Sequence, residues 1–295
     1  MHRRNGLWPR SDLIMNGFYS LWTAPTMLGH PGEQYVMQDY EILMLMLSVS
    51  SFERHNGPVS MYADDAAASF LESEKIDDIF SRGIKMLKVP EDIDPKVYWA
   101  AGKLYALKAE SLPSVMIDTD LIIWKDLSQT LADTEIAVIH REELNPAIYP
   151  DPFSFEMKEG YAFPKNADFS VKPANTAMLY IKDPVFRDHY CEEALKFMRM
   201  SMPTEDTLNH MVFAEQRLLA LCAAEKNKTI FSFCEDPMNL REQKTFTHFW
   251  GHKNLYKFNA GERTSGCRRM LSRLKNEYPS MYEKAVNIDS IRAYL

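Results

Sequence analysis

The chain has 295 residues, of which 46% are hydrophobic and 25% are charged. This composition is typical of a globular protein with a substantial core, and the length fits one large α/β domain or two small domains. The formal net charge is −7, which argues against a general nucleic-acid binder because neutralising a phosphate backbone needs a basic face. An anionic small ligand would therefore need a local cation.

The cysteines and the apolar runs bear on the compartment. The four cysteines form no C-x-x-C pair and have no histidines at zinc-finger spacing, which predicts reduced thiols in a reducing compartment such as the cytoplasm. The first residues are positively charged but lack a continuous apolar run, so we expect no secretory leader. The most apolar later run, Ile42–Ser50, is about half the length of a membrane span and predicts a buried helix face.

In chain order, apolar segments of strand length alternate with longer segments of helical character. The predicted strands are Gly17–Thr23, Gly57–Asp65, Ile84–Val89, Ser114–Ile117, Glu135–His140, Ala177–Ile181 and Thr229–Cys234. The predicted helices are Glu33–Phe52, a helix around Val97–Ala109, Asp183–Met200 and Thr204–Asn227. This alternation predicts an α/β fold whose mixed, mostly parallel sheet is flanked by helices.

Two segments do not fit the alternation. Asn145–Asn166 is rich in proline and aromatic residues and is too long for a simple connection, which predicts a lid or a binding loop. Arg263–Asn287 is basic and helical, and it either rests on an anionic membrane surface or packs on its own domain. We therefore expect at most peripheral contact with a membrane.

Asp118 and Asp120 lie in the apolar stretch PSVMIDTDLIIW, directly after a predicted strand. In extended backbone their side chains project to the same side, and paired carboxylates at a strand end suit Mg²⁺ or Mn²⁺. The alternative is a structural role as caps or in ion pairs with Lys103 or Lys125, since a buried charge without a partner is costly. A second D-x-D triplet, in PEDIDPK, lies in polar, proline-flanked sequence and predicts a loop.

Three motifs, in this order, resemble those of GT-A glycosyltransferases. PSVMIDTDLIIWKDL is similar to the D-x-D segment, and ANTAMLYIKDPVFRDHY is similar to the strand and helix beside the donor sugar. THFWGHKN resembles the H-x-x-G-x-x-K element of the glycogenin-like and bacterial galactosyltransferase families, with one residue fewer before the lysine. The resemblance extends from roughly Gly17 to Lys253.

The resemblance implies a GT-A-like fold and a metal-dependent glycosyltransferase of the hexosyltransferase type. Such an enzyme moves a sugar from a nucleotide-sugar donor, here expected to be UDP-linked, to a glycan, glycolipid or other hydroxyl acceptor, and uses Mn²⁺ or Mg²⁺. It also implies one GT-A-like domain with a nucleotide-binding half at residues 13–125, a sugar and acceptor half at 126–260 and a helical segment at 261–295. No nucleic-acid partner is expected.

The resemblance also implies roles for individual residues. The metal ligands would be Asp118, Asp120 and His248. Contacts to the nucleotide and its diphosphate would come from Tyr19, Trp22, Asp64, Lys103, Asp118 and Lys253. In the transfer step Asn175 would orient the donor sugar, and Glu215 or Gln216 would lie near the acceptor.

Structural alternatives stay open for these residues. Asp64 could instead cap the helix that follows it. Tyr19 and Trp22 could be core aromatics, and Lys103 and Lys253 could be solvated surface lysines. His252 competes with His248 as a ligand. Adjacent helical residues point about 100° apart, so at most one of Glu215 and Gln216 faces the site. Glu205 and Asp206, at the start of the predicted helix, are alternatives for the same role, and an exposed acid paired with Arg217 or a neighbour is the structural alternative.

Two other classes of function stay open as well. A nucleotidyltransferase would carry a glycine-rich phosphate loop after its first strand, where this chain has only Gly29 and Gly32. A non-catalytic glycan-binding or scaffold protein of the same fold predicts no metal-dependent nucleotide binding. The fold by itself does not separate such a protein from an enzyme.

Overall fold

The computed structural model describes residues 15–235 and 240–295. Two expectations fall outside these residues. They are the absence of a leader in the first fourteen residues and the domain boundary at residue 13.

Two β-sheets are present in the described part of the chain. Their strands are β1 (Asn16–Leu21), β2 (Val59–Ala63), β3 (Ile84–Met86), β4 (Ser114–Ile117), β5 (Leu121–Ile123), β6 (Ile136–His140), β7 (Met178–Ile181), β8 (Ile230–Cys234) and β9 (Phe246–His248). The larger sheet has the order β3-β2-β1-β4-β7-β6-β8, and β5 pairs with β9 in the smaller one. Within the larger sheet β7 is antiparallel to both of its neighbours, and the other pairs are parallel. The sheet is therefore mixed and mostly parallel, as predicted.

Helices cover both faces of the larger sheet. The described helices are α1 (Ala24–Met27), α2 (Asp39–His55), α3 (Asp65–Ser73), α4 (Ala101–Ala109), α5 (Ser128–Leu131), α6 (Pro184–Met200), α7 (Thr207–Val212), α8 (Leu218–Glu225), α9 (Trp250–Phe258), α10 (Ala260–Glu277), α11 (Pro279–Ala285) and α12 (Asp289–Arg292). Helices α2, α10 and α11 pack on one side, and α4, α6 and α8 pack on the other. Successive strand residues such as Phe18 and Tyr19 enter opposite hydrophobic clusters. Two buried faces explain why the strands are continuous apolar runs. The predicted α/β class is confirmed.

Helix α2 is enclosed between β5 and α10, so nearly all of its residues from Tyr40 to Phe52 are buried. This confirms the predicted burial of the apolar run within it. The hydroxyl groups of Ser48 and Ser51 donate to the carbonyl oxygens of Leu121 and Ile123, and these bonds attach the small sheet to the core. No helix in residues 15–235 or 240–295 combines the length and apolar character needed to cross a bilayer.

Several predicted boundaries differ from the structure. Helix α2 begins at Asp39 rather than Glu33, where Gln38 and Glu41 form a capping box. The predicted helix Thr204–Asn227 is divided into α7, a π-helical turn at Phe213–Arg217 and α8. Strand β5 was not predicted, because three apolar residues show no alternation and the partner strand is distant in sequence.

Candidate metal and nucleotide site

The candidate site lies at the carboxyl ends of β1, β2 and β4. Strand β1 lies between β2 and β4, so the order of the strands reverses beside it. Open α/β sheets bind ligands at such a switch point, outside the carboxyl ends of the strands. Trp22, Asp64 and Asp118 each directly follow one of these three strands. The topology therefore brings three sequence-predicted residues to one edge of the sheet.

A turn, rather than an extended strand, brings Asp118 and Asp120 together. The Asp118 amide donates to the Ala177 carbonyl at 2.8 Å, and the Leu121 amide donates to the Asp118 carbonyl at 3.0 Å. The expected alternation of an extended backbone does not apply here. The three residues between the end of β4 at Ile117 and the start of β5 at Leu121 form this turn. The turn still directs both carboxylates to the same candidate metal position.

The small sheet positions His248. Its register places Leu121 opposite His248, and the Phe249 amide donates to the Asp120 carbonyl at 3.0 Å. A side-chain bond of 2.8 Å from Trp124 Nε1 to Thr247 Oγ1 strengthens the same pairing. His248 Nε2 thereby lies 3.8 Å from Asp120 Oδ1.

Asp118, Asp120 and His248 fit a divalent cation. Each offers one ligand atom, and these atoms lie within 4.8 Å of one another. Burial, assisted by nearby lysines and opposed by Asp120, lowers the pKa of His248 to about 4, so its imidazole is neutral and has a lone pair to donate. Two carboxylates and one imidazole are a donor set that suits Mn²⁺ and Mg²⁺.

Two lysines neutralise the aspartates. Lys103 of α4 places Nζ 2.7 Å from Asp118 Oδ1, and Lys253 of α9 places Nζ 2.9 Å from Asp120 Oδ2. One oxygen of Asp120 therefore faces His248 and the other faces Lys253. The sequence left metal binding and ion pairing as alternatives, and the geometry of the site accommodates both.

The charges in the site change the proton affinities of its members. Burial, opposed by Lys103 and reinforced by Asp120, raises the pKa of Asp118 to about 7. Burial would also raise the pKa of Asp120, but Lys253 and His248 outweigh it and the net shift is downward. Lys103 has a raised pKa, because its two acidic partners outweigh the effect of burial. The lysines therefore stay charged.

Glu215 lies behind Lys103 rather than at an open surface. Its side chain is 3% exposed, and its Oε1 lies 2.6 Å from Lys103 Nζ and accepts a 2.6 Å bond from Thr176 Oγ1. The neighbouring Gln216 points elsewhere and accepts a 2.7 Å bond from the Tyr149 hydroxyl. The π-helical turn that contains both residues separates their directions.

Asn175 belongs to a polar group at the end of β6. Its Nδ2 donates to Glu142 at 2.9 Å, and its Oδ1 accepts from the Ala177 amide at 3.1 Å. His140 Nε2 lies 3.6 Å from the same Glu142 oxygen. The Asn175 amide donates to the His140 carbonyl at 3.0 Å, and Ala177, which donates to Asn175, accepts from the Asp118 amide, so backbone bonds connect this group to the turn of the candidate metal ligands.

The remaining predicted contacts differ in access. Tyr19 is completely buried and its hydroxyl lies 2.8 Å from Ser48 Oγ, so its ring is a core aromatic and offers no face to a base. Trp22 is half-buried. Asp64 caps α3 through the Ala67 amide and accepts two further bonds from Thr23. The capping alternative therefore accounts for Asp64.

The segment Asn145–Asn166 packs against the domain along part of its length. Tyr149 is buried where it reaches Gln216, and Phe155 packs against Phe197 and Phe213 with ring centroids 5.3 and 4.7 Å away. Its short 3₁₀ turn at Pro152–Ser154 exposes Phe153. Tyr149 and Phe155 therefore anchor this segment to the domain, Tyr149 through Gln216, the neighbour of Glu215.

Sequence reasoning missed four polar residues of this site. They are His140, Glu142, Tyr149 and Thr176. For His140 a signal existed, since a polar residue that ends an otherwise apolar strand lies at the same edge as the other strand ends. The other three are brought in by contacts between distant segments, which local sequence does not encode.

Three solved structures to which the chain is similar are glycosyltransferases. The bifunctional glycosyltransferase WbbM is 11% identical with a TM-score of 0.41, over 77% of this chain and 40% of that one. The galactosyltransferase LgtC, solved with donor and acceptor sugar analogues, is 13% identical with a TM-score of 0.35, over 68% and 70%. The PaToxG glycosyltransferase is 13% identical with a TM-score of 0.39, over 97% and 89%. This chain thus spans less than half the length of WbbM.

Among sequences, no curated protein matches this chain. One protein-family model does match, over residues 15–288, which include every candidate site residue. The chain therefore belongs to the family of unknown function DUF6734.

Proposed function

We propose that the protein is a metal-dependent glycosyltransferase that uses a nucleotide-sugar donor. The observation that carries the proposal is the convergence of Asp118 and Asp120, from the turn after β4, with His248 of β9, and the presence of Lys103 and Lys253 on the two carboxylates. The motif resemblance of the D-x-D segment and of the histidine and lysine element supports the same activity. UDP-sugars are the first donors to test.

In this proposal Asp118, Asp120 and His248 hold Mn²⁺ or Mg²⁺. The cation would supply Lewis-acid stabilisation of the negative charge that develops on the departing diphosphate. Lys253 is partly exposed on the first turn of α9, and its ammonium group is suited to bind a diphosphate oxygen. Lys103 is more deeply enclosed, and it orients Asp118 while it neutralises Glu215.

The acceptor hydroxyl must lose a proton during the transfer. Glu215 is a poor acceptor for this proton, because it is buried and already bound to Lys103 and Thr176. Glu142 is the better candidate, since its side chain is 29% exposed and Asn175 and His140 orient it. We therefore assign proton acceptance to Glu142, sugar orientation to Asn175 and Gln216, and a supporting role to Glu215.

One observation favours the scaffold alternative. Asp118 and Asp120 each already have a lysine within 3 Å, so the charge of both aspartates is opposed by a protein cation before any metal binds. In that case the charged cluster would be structural, and neither a metal nor a nucleotide would stabilise the fold.

Thermal unfolding separates the two functions. The protein is heated with UDP, GDP, CMP and their sugars, each with Mn²⁺ and with EDTA, because a ligand that binds only the native state raises the midpoint. A shift for one nucleotide that disappears with EDTA supports the transferase and identifies the base. A panel without shifts contradicts the proposal and favours the scaffold.

A further inference from the structure

Helix α9 presents large aromatic side chains to solvent beside the candidate site. Trp250 is 78% exposed and Phe258 is 79% exposed, and Leu255 on the same helix is also exposed. Side chains of this size carry a large apolar area, so their exposure to water is unfavourable. Contiguous exposed apolar residues mark interaction surfaces.

The two aromatic residues share one face of α9. Trp250, Asn254 and Phe258 are spaced four residues apart, which aligns them along one stripe of a helix. The opposite face carries the buried Tyr256, whose phenol ring lies directly over Gly266 of α10. Helix α9 is therefore fixed to the domain by its inner face, and its two outer aromatics are left exposed by the described residues.

Uncompensated positive charge lies on α9 and on the next helix along the chain, α10. Residues 250–275 contain seven lysines and arginines and one acid, in a chain whose net charge is −7. Ion pairs in this region use Lys253, Arg263 and Arg273. The exposed side chains of Lys257, Arg268 and Arg269 are left without an acidic partner among the described residues.

We propose that the outer face of α9, with Lys257 beside the Phe258 ring and the exposed cations of α10 that follow in the chain, docks on an anionic lipid surface. Tryptophan and phenylalanine prefer the headgroup boundary of a bilayer, where the ring is buried beside polar groups. Each nearby lysine or arginine adds attraction to anionic lipids. A second copy of the chain would bring the same positive charges together, which opposes pairing of two such faces.

This surface differs from the one expected from sequence. The basic stretch of α10 and α11 packs on its own domain, with Cys267, Met270, Leu271 and Leu274 buried in the core. The aromatic anchors lie instead on α9, which begins two residues after His248 and carries Lys253. Docking would hold the candidate site next to the lipid surface, within reach of an acceptor carried by a lipid.

Vesicle sedimentation tests the docking surface with the full chain. Vesicles of phosphatidylcholine with about one third phosphatidylglycerol are compared with pure phosphatidylcholine, since anionic lipid should be required. We expect sedimentation only with the anionic vesicles, and release as the salt concentration rises from about 0.1 M to about 0.5 M. Equal sedimentation with both vesicles, or none with either, overturns the proposal.

Two matched variants assign the binding to α9. Phe258→Ala should lower the partition coefficient by about tenfold or more, because it removes an apolar anchor. Phe153→Ala removes an aromatic side chain of similar exposure, 75%, from the Asn145–Asn166 segment and should have no effect. The combined Arg268→Gln and Arg269→Gln variant should weaken binding and reduce its salt dependence. Equal loss for Phe258→Ala and Phe153→Ala would contradict the assignment.

The docking test is independent of the proposed transfer. It measures lipid binding without donor or metal, so an inactive protein that still binds vesicles leaves the docking surface intact. An active protein that ignores anionic vesicles would overturn the docking surface alone. A mass that doubles with concentration and returns to the monomer in Phe258→Ala would identify a second copy as the occupant and would also overturn it.

Discussion

Leu121 pairs with His248 across the small sheet, and this pairing places the imidazole of His248 beside the carboxylate of Asp120. Neither strand of the pair has more than three residues. Serine hydroxyls of α2 fix β5 from one side, and the Gln243 side chain bonds to the backbone of Phe246 in β9. A short sheet that is supported at both strands therefore determines whether the three candidate ligands meet.

The two histidines of this region give a matched pair for metal binding. His248→Ala removes one of three candidate ligands, and we expect the affinity for Mn²⁺ to fall by about tenfold or more. His252→Ala removes an exposed ring that contacts Phe249 edge-on and Tyr256 at a tilt, and we expect the Mn²⁺ affinity to be unchanged. Titration calorimetry with Mn²⁺ measures both. A larger loss for His252→Ala would exclude His248 as the ligand.

The two D-x-D triplets give a matched pair for turnover. Asp120→Asn should lower turnover by about 10²–10³, the effect of removing one strong electrostatic stabiliser. Asp92→Asn alters an exposed aspartate that pairs with Arg199 in a loop, and turnover should not change. Release of the nucleoside diphosphate from the donor measures turnover in both variants. Normal turnover in Asp120→Asn would refute the proposed site.

Lys103 and Glu215 should be strongly coupled. Lys103→Met leaves the buried Glu215 and Asp118 without their cation and should cost about 3 kcal/mol of unfolding free energy. Glu215→Gln added to that variant removes one of the unpaired charges, so part of the loss should be recovered. Urea unfolding of the wild type, the two single variants and the double variant measures the coupling energy between the two residues, which we expect to be about 1–3 kcal/mol. Strict additivity would show that the two residues do not interact.

Two variants separate the proposed proton acceptor from its neighbour. Glu142→Gln keeps the hydrogen bond to Asn175 but no longer accepts a proton, so kcat should fall by about 10²-fold or more while metal-dependent donor binding is retained. Glu143→Gln changes an exposed acid that pairs with Lys172, and kcat should stay the same. Equal kcat in all three proteins would remove Glu142 from the reaction.

Glu110 gives a pH-dependent contribution to stability. Its side chain is fully buried and pairs with Arg82 at 2.9 Å and Lys85 at 2.6 Å. Burial alone would raise the pKa of Glu110, but these bonds outweigh it and hold the pKa below its ordinary value. The stabilisation is therefore present above the unfolded pKa of about 4.3 and is lost as the pH falls through the folded pKa.

Glu110→Gln tests this linkage. At pH 7 the free energy of unfolding of the variant should be about 2 kcal/mol lower than that of the wild type. This loss lies between those expected for breaking an exposed and a buried ion pair. The difference should narrow as the pH falls through the folded pKa of Glu110, because the wild-type carboxyl then becomes neutral. Urea unfolding across a pH series measures it. A difference that stays constant into acid would show that the charge of Glu110 contributes nothing.

The sequence by itself determined the layering of the fold and one edge of the site. Strands such as Ser114–Ile117 are continuous apolar runs because both of their faces are buried, so local composition is enough to predict them. The acids that follow, Asp118 and Asp120, are conspicuous for the same reason. A charged residue directly after a buried strand needs a partner, and the sequence alone predicts this requirement.

The tertiary structure decided which partners those acids have. Lys103 and Lys253 come from two helices that are distant in the sequence, and only the packing of those helices brings their ammonium groups within 3 Å of Asp118 and Asp120. Glu215, in the π-helical turn, is likewise brought within 3 Å of Lys103. The same packing buries Tyr19. It leaves Trp250 in solvent, although each of these two aromatics directly follows a phenylalanine in the sequence. Burial depends on which surface a helix or strand covers, and that is a property of the assembled domain.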